Sequence, residues 1–113
     1  MTDKELLELA AKAAGIELNW GIDLFGFYTN DGETVQWNPL TDDGDALRLA
    51  VKLGINISTP DDGDMLASAT HWNLPMFFAE KADADPYAAT RRAIVHAAAS
   101  LATSNEFGRN RND

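Results

Sequence analysis

The chain contains no cysteine in 113 residues. That excludes a disulfide framework, a thiolate metal site and a cysteine nucleophile. Positive charge is scarce too: nine Lys and Arg stand against 18 Asp and Glu, for a net charge of −9 with histidine neutral. No apolar run approaches the roughly 18 residues needed to span a bilayer. The opening Met1-Thr2-Asp3-Lys4-Glu5 carries the wrong charge for the basic start of a secretory signal. These absences lead us to expect a soluble protein that stays in the cytoplasm and has no membrane partner.

Signatures of chemistry are also missing. There is no Gly-x-Ser-x-Gly elbow, no phosphate loop and no dinucleotide-binding glycine pattern. The only histidines are His71 and His96, and neither belongs to a His-x-x-x-His or Glu-x-x-His pair that would suggest zinc. Eighteen acids make acid–base pairings such as Glu17 or Glu33 with an aspartate too easy to imagine to be informative. The residues therefore argue for a non-enzyme with no cofactor and no resident metal.

What is present is an ordinary globular composition, 45% hydrophobic and 24% charged. The length suits a single domain, residues 1–103, followed by a polar tail at 104–113. Charge is unevenly spread. Residues 1–90 hold 16 acids against 5 bases, whereas residues 91–113 hold 2 acids against 4 arginines. So acidic a body repels phosphate, which speaks against direct nucleic-acid binding and favours a partner protein with a basic surface.

The element order reads α-β-β-β-α-β-β-β-α. Thr2 and Glu5 have capping-box spacing and Gly15 sits at a helix stop, predicting a helix from about Asp3 to Ala14. Ile16, Leu18 and Trp20 alternate with polar residues as in a half-buried strand. Ile22–Thr29 and Glu33–Trp37 flank Asn30-Asp31-Gly32 as a hairpin, with Gly26 marking a bulge or a close backbone approach.

In Trp37–Gly54 (WNPLTDDGDALRLAVKLG), Thr41 or Asp42 caps a second helix and Gly54 stops it. Within Ala46–Leu53 only Arg48 and Lys52 are charged, lining one narrow face with Asp45, so the helix should be covered over most of its circumference. Ile55 and Ile57 read as a short buried strand. Met65–Thr70 and Leu74–Phe78 read as a strand pair around a turn at Trp72-Asn73, with Pro75 placing the last strand at an edge or delaying its start. Asp85 and Pro86 open a third helix that should end near Leu101–Thr103, with Arg91, Arg92 and His96 facing solvent. Its run Ala97-Ala98-Ala99 admits a close neighbour, for which the alanine-rich first helix is suited. The whole is an α+β domain: a mostly antiparallel sheet with helices packed on it as a layered sandwich.

Two Asp-Asp-Gly-Asp motifs, at 42–45 and 61–64, are the candidate partner contacts: Asp42, Asp43, Asp45, Asp61, Asp62 and Asp64. Neither has the ligand spacing of a calcium loop. One opens a helix and the other makes a turn, so structural roles account for both. Trp72 and Phe77 are the other candidates. Adjacent Phe77 and Phe78 must point to opposite faces of a strand, and helices on both faces would bury them. An aromatic left exposed there would be a partner anchor.

The segment Trp37-Asn38-Pro39-Leu40-Thr41-Asp42-Asp43-Gly44-Asp45-Ala46-Leu47-Arg48-Leu49-Ala50-Val51-Lys52-Leu53, the run Asp85–Val95 and the N-terminal Glu5–Gly15 resemble a family of small bacteriophage and prophage proteins. These are loosely similar to a phage ABA-sandwich domain. The resemblance implies a viral origin and a bacterial host cell, and it brings no catalytic residue. The expectation is a phage accessory protein that binds a host protein. One version is an acidic, nucleic-acid-mimicking inhibitor of a host defence system, such as an anti-CRISPR. The alternatives are a structural or oligomerising phage module, and a small ligand-binding protein or enzyme.

Overall fold

The computed structural model describes residues 1–21, 25–61, 65–82 and 85–111. In chain order it contains α1 (Asp3–Ala14), β1 (Asn19–Trp20), β2 (Gly26–Asn30), β3 (Glu33–Gln36), α2 (Asp43–Leu53), β4 (Asn56–Ser58), β5 (Leu66–Thr70), β6 (Phe78–Lys81) and α3 (Pro86–Arg111). This is the expected α+β order. The strands divide into two antiparallel sheets of three, β1-β2-β3 and β4-β5-β6.

The ends of α1 and α2 are set by local chemistry. At α1 the Glu5 N–H donates to the Thr2 hydroxyl at 3.1 Å while the Thr2 N–H reaches the Glu5 carboxylate at 3.3 Å. The Thr2 backbone bond, ahead of its side-chain bond, lowers the Glu5 carboxyl below the usual carboxylate range. This increment of stability is present at neutral pH and is lost as acid protonates the group. Both helices finish alike. Gly15 and Gly54 are left-handed, and the following Ile16 and Ile55 N–H groups donate back to Ala11 and Ala50 at 2.8 and 2.9 Å. Each stop thus satisfies two carbonyls and turns an isoleucine toward the core.

Packing centres on α3. Ala93, Ile94, Val95, Ala97, Ala98, Ala99, Leu101 and Ala102 are all buried, so the helix is enclosed around most of its girth. Its most extensive contact is with α1, followed by β5, β6 and α2. The α1 side supplies Leu6, Leu7, Ala10, Ala11 and Ala14. The alanine-rich pair meets as the sequence suggests.

The second sheet lays one face on α3. Along β5, Ala67 and Ala69 are buried while Leu66 and Thr70 are exposed. In β6, Phe78 and Glu80 face inward and Ala79 and Lys81 outward. The opposite face is open among the described residues. In the first sheet, Asp31 and Gly32 both have positive φ, forming the primed turn whose twist suits a two-residue hairpin, closed by the pair Asn30 and Glu33. Gly26 marks a close approach: a Cβ there would lie 3.0 Å from Leu18 Cδ1 and 3.2 Å from the Trp37 carbonyl.

Several expectations are corrected. β4 is a wholly exposed edge strand; Ile55 is buried but Ile57 is 36% exposed, because no strand flanks it on its open side. The last strand begins only at Phe78, so Leu74–Phe77 is loop, and Pro75 delays the ladder as its missing N–H requires. Helix α2 is not covered all round: Leu47 and Val51, one turn apart, are exposed. Helix α3 continues to Arg111, since polar residues end the buried stripe but no proline after Pro86 interrupts the backbone ladder. Arg91, Arg92 and His96 find partners instead of solvent. Arg91 Nη1 lies 2.6 Å from Asp43, Arg92 Nη2 is 3.0 Å from Asp3, and the His96 ring stacks on Phe78 with Nε2 3.5 Å from Glu80. Residues 22–24, at the start of the expected second strand, lie outside the described residues.

The helix stop gives a direct test. Gly54 has φ +71° and nothing within 4 Å of an added Cβ. Gly54→Ala therefore introduces backbone strain and no clash, and should cost about 1 kcal/mol. In urea unfolding the midpoint should fall with an unchanged slope.

Candidate functional site

The first Asp-Asp-Gly-Asp is consumed by the fold. Asp42 is the N-cap of α2, accepting the Asp45 N–H at 2.8 Å. Asp43 pairs with Arg91, which is only 15% exposed and also donates from Nε to the Leu40 carbonyl at 2.8 Å. Asp45 is buried. Its Oδ2 accepts the Asn38 N–H at 2.9 Å and its Oδ1 accepts from Arg48 Nη2 at 2.8 Å. The Asp45 bond is the leading cause that holds Arg48 above its ordinary value. Asn38 turns the loop in the other direction, taking the Leu40 N–H on its side chain and the Thr41 and Asp42 N–H groups on its carbonyl. Asp45 thus ties the entry loop to its own helix and offers little face to a partner.

The second motif is seen only in part. Asp61 is exposed, and Asp62 and Asp64 lie outside the described residues. Whether the six aspartates form one patch is therefore not a matter of described geometry. Among the described residues no group of three or more His, Cys, Asp or Glu side chains could hold a metal ion, and no helix is long and apolar enough to cross a membrane.

Trp72 and Phe77 come together on one loop, 71–77, which joins β5 to β6. Trp72 is 87% exposed and Phe77 60%, and Met76, which the sequence pattern did not single out, is 62% exposed. Phe78, the neighbour of Phe77, packs against the core. The expectation that helices bury both phenylalanines fails because β6 starts only at Phe78, which leaves Phe77 on the preceding loop.

The loop is pinned by His71. Its Nε2 lies 2.9 Å from the Leu53 carbonyl and its Nδ1 accepts the Asn73 N–H at 3.0 Å. Since Nδ1 accepts, Nε2 carries the proton and donates to Leu53. The ring also stacks on Trp72, centroids 5.6 Å apart, and the Leu74 N–H closes a turn onto the His71 carbonyl at 2.9 Å. A histidine beside a turn tryptophan was visible in the sequence; its bond to a carbonyl 18 residues earlier was not.

Two clefts border α2. A polar one of about 540 Å³ is lined by Phe25, Tyr28, Gln36, Thr41, Asp42 and Arg48, among others. An apolar one of about 570 Å³ lies between the start of α2, the end of β4 and the start of α3. In the polar cleft the Arg48 charge is already shared with Asp45 and, at 3.9 Å, Asp42, so among the described residues no unpaired cation lines it.

These contacts make three predictions. Asp45→Ala removes charge-assisted bonds in a buried position and should cost about 2–3 kcal/mol. Arg48→Ala, at a side chain 73% exposed, should cost less than Asp45→Ala in the same unfolding assay. His71→Ala should leave the helices intact by circular dichroism. It should also speed amide exchange at Asn73 roughly fivefold, the equivalent of one lost bond of about 1 kcal/mol.

Comparison with protein-family models, with curated proteins and with solved structures found no match to this chain. A function must therefore rest on the chemistry of these surfaces.

Proposed function

We propose that the chain is a non-catalytic accessory protein that binds a host protein, and that its principal contact is the loop from Trp72 to Phe77. The observation that carries this reading is three large apolar side chains, Trp72, Met76 and Phe77, left in water within six residues. Exposed aromatic clusters of this kind mark protein contacts, and tryptophan is the commonest anchor. The His71 bonds support it further, because a loop ordered in advance loses less entropy on binding.

The resemblance to phage and prophage proteins supplies the setting, a bacterial host cell, and inhibition of a host defence system is the version of this reading that suits a small acidic protein. The net charge of −9 then acts at long range, steering a basic partner surface toward the loop. Close nucleic-acid mimicry is less well supported, because Asp42, Asp43 and Asp45 already serve a cap and two ion pairs.

The test is capture of a host protein from lysate by the wild type, by Trp72→Ala and by Phe77→Ala, with affinities then measured on the purified pair. Each substitution should weaken binding at least about tenfold, as hot-spot truncations do. Binding should persist at about 0.5 M salt, where exposed charges are screened within a few ångströms. Binding untouched by both substitutions and abolished by salt would replace this reading with the acidic mimic.

A further inference from the structure

We propose that the apolar cleft between α2, β4 and α3 is a docking groove for a cationic amphipathic helix of a partner protein, a surface separate from the Trp72–Phe77 loop. Its floor includes Ala46 and Ile94, 2% and 3% exposed. Its walls are Leu47, Ile57 and Tyr87, which are 59%, 36% and 67% exposed. Three large apolar side chains from three different elements therefore converge on one opening of about 570 Å³, within the usual range of ligand clefts.

The sequence of α2 points the same way. From Ala46 to Leu53 its residues are apolar apart from Arg48 and Lys52, the pattern of a helix covered on most sides. Yet Leu47, and Val51 one turn on, are left uncovered among the described residues. A partner helix presenting apolar residues at i, i+3, i+4 and i+7 supplies the missing neighbour.

Charge selects the occupant. Asp43 stands on the lip with its side chain 65% exposed. Asp61 follows the lining residue Pro60 and Asp85 precedes the lining residue Pro86, and both are exposed. Among the described residues that line the cleft the base is Arg91, 15% exposed and already shared between Asp43 and the Leu40 carbonyl. Asp43 and Arg91 offset each other, so the local balance is set by the exposed acids Asp61 and Asp85 and by the chain's net charge of −9, which favours lysine and arginine over carboxylates beside the apolar stripe of an incoming helix.

The probe is a labelled 14-residue leucine–lysine peptide of helical period, titrated into the full chain and followed by fluorescence anisotropy and amide shifts. A leucine–glutamate peptide of the same pattern and a serine–lysine peptide of the same charge serve as comparisons. The leucine–lysine peptide should bind at least tenfold more tightly than either and shift the amides of Leu47, Ile57 and Tyr87. Leu47→Ser and Tyr87→Ser, at exposed positions that leave the core intact, should each weaken it about tenfold. Trp72→Ala should not change it. Equal binding of the serine–lysine peptide, wild-type affinity in both groove variants, shifts confined to residues 72–77 or no binding would each overturn the proposal.

Discussion

Close approach to α3 is the constraint on which the rest of this protein depends. Alanines at 93, 97, 98, 99 and 102 let α1, α2 and the second sheet come in against a single helix from several sides. Larger residues at those positions would hold the neighbours apart and overpack the centre. The fold secures contact density by keeping its central side chains small. Val95 and Pro39 are the bulkiest side chains it encloses completely. Each buried alanine removes little apolar area from water, so stability is spread over many modest contributions.

That choice has a counterpart at the surface. Bulky apolar residues are buried as well, among them Leu6, Leu7, Trp37, Leu49, Ile94 and Leu101, yet Trp72, Met76, Phe77, Tyr87, Leu47 and Val51 are all well exposed. Isolated exposed apolar residues need no explanation, but Trp72, Met76 and Phe77 are grouped on one loop and Leu47 and Tyr87 about one cleft. Neither the turn at 71–74 nor the start of α3 needs an aromatic for its backbone geometry, since Pro86 and the Asp85 side chain that accepts the Ala88 N–H set the latter. An exposed tryptophan and tyrosine at these places are best understood as surface chemistry and not as overflow from the core.

Local features were legible in the sequence because their causes are local. Thr2 and Glu5, Asp42, Gly15, Gly54 and the Asp31-Gly32 turn each act through neighbours within a few residues, and each stands where the pattern puts it. Long-range pairing was not legible. Arg91 and Asp43 are 48 residues apart, Arg92 and Asp3 are 89 apart, and nothing in their own neighbourhoods announces the partner. The same limit hid the exposure of Phe77, which depends on where the ladder between β5 and β6 begins. The role of the first Asp-Asp-Gly-Asp depends on its flanks. In the first Asp-Asp-Gly-Asp the last aspartate is buried because Asn38 presents an N–H seven residues back and Arg48 a guanidinium three residues on; the second copy, at 61–64, has no such flanks in its sequence.

Helix α2 links the two surfaces. Its start is fixed by Asp42, by Asp45 on Asn38 and by Asp43 on Arg91; its end is fixed by the Gly54 stop and by the Leu53 carbonyl bonded to His71. The apolar cleft opens at the first of these ends and the aromatic loop docks at the second. Eleven residues at 1.5 Å each span about 16 Å, a distance that an interface of ordinary size, about 800 Å² per partner, easily covers. One partner can therefore engage both ends, and a helix clamped at each end holds the two surfaces in fixed register. Contact at the first then makes contact at the second effectively intramolecular, raising affinity without requiring either surface to be large. Under the proposed reading, charge would bring a partner in, the loop and the cleft would supply apolar purchase, and the clamped helix would keep the spacing between them constant.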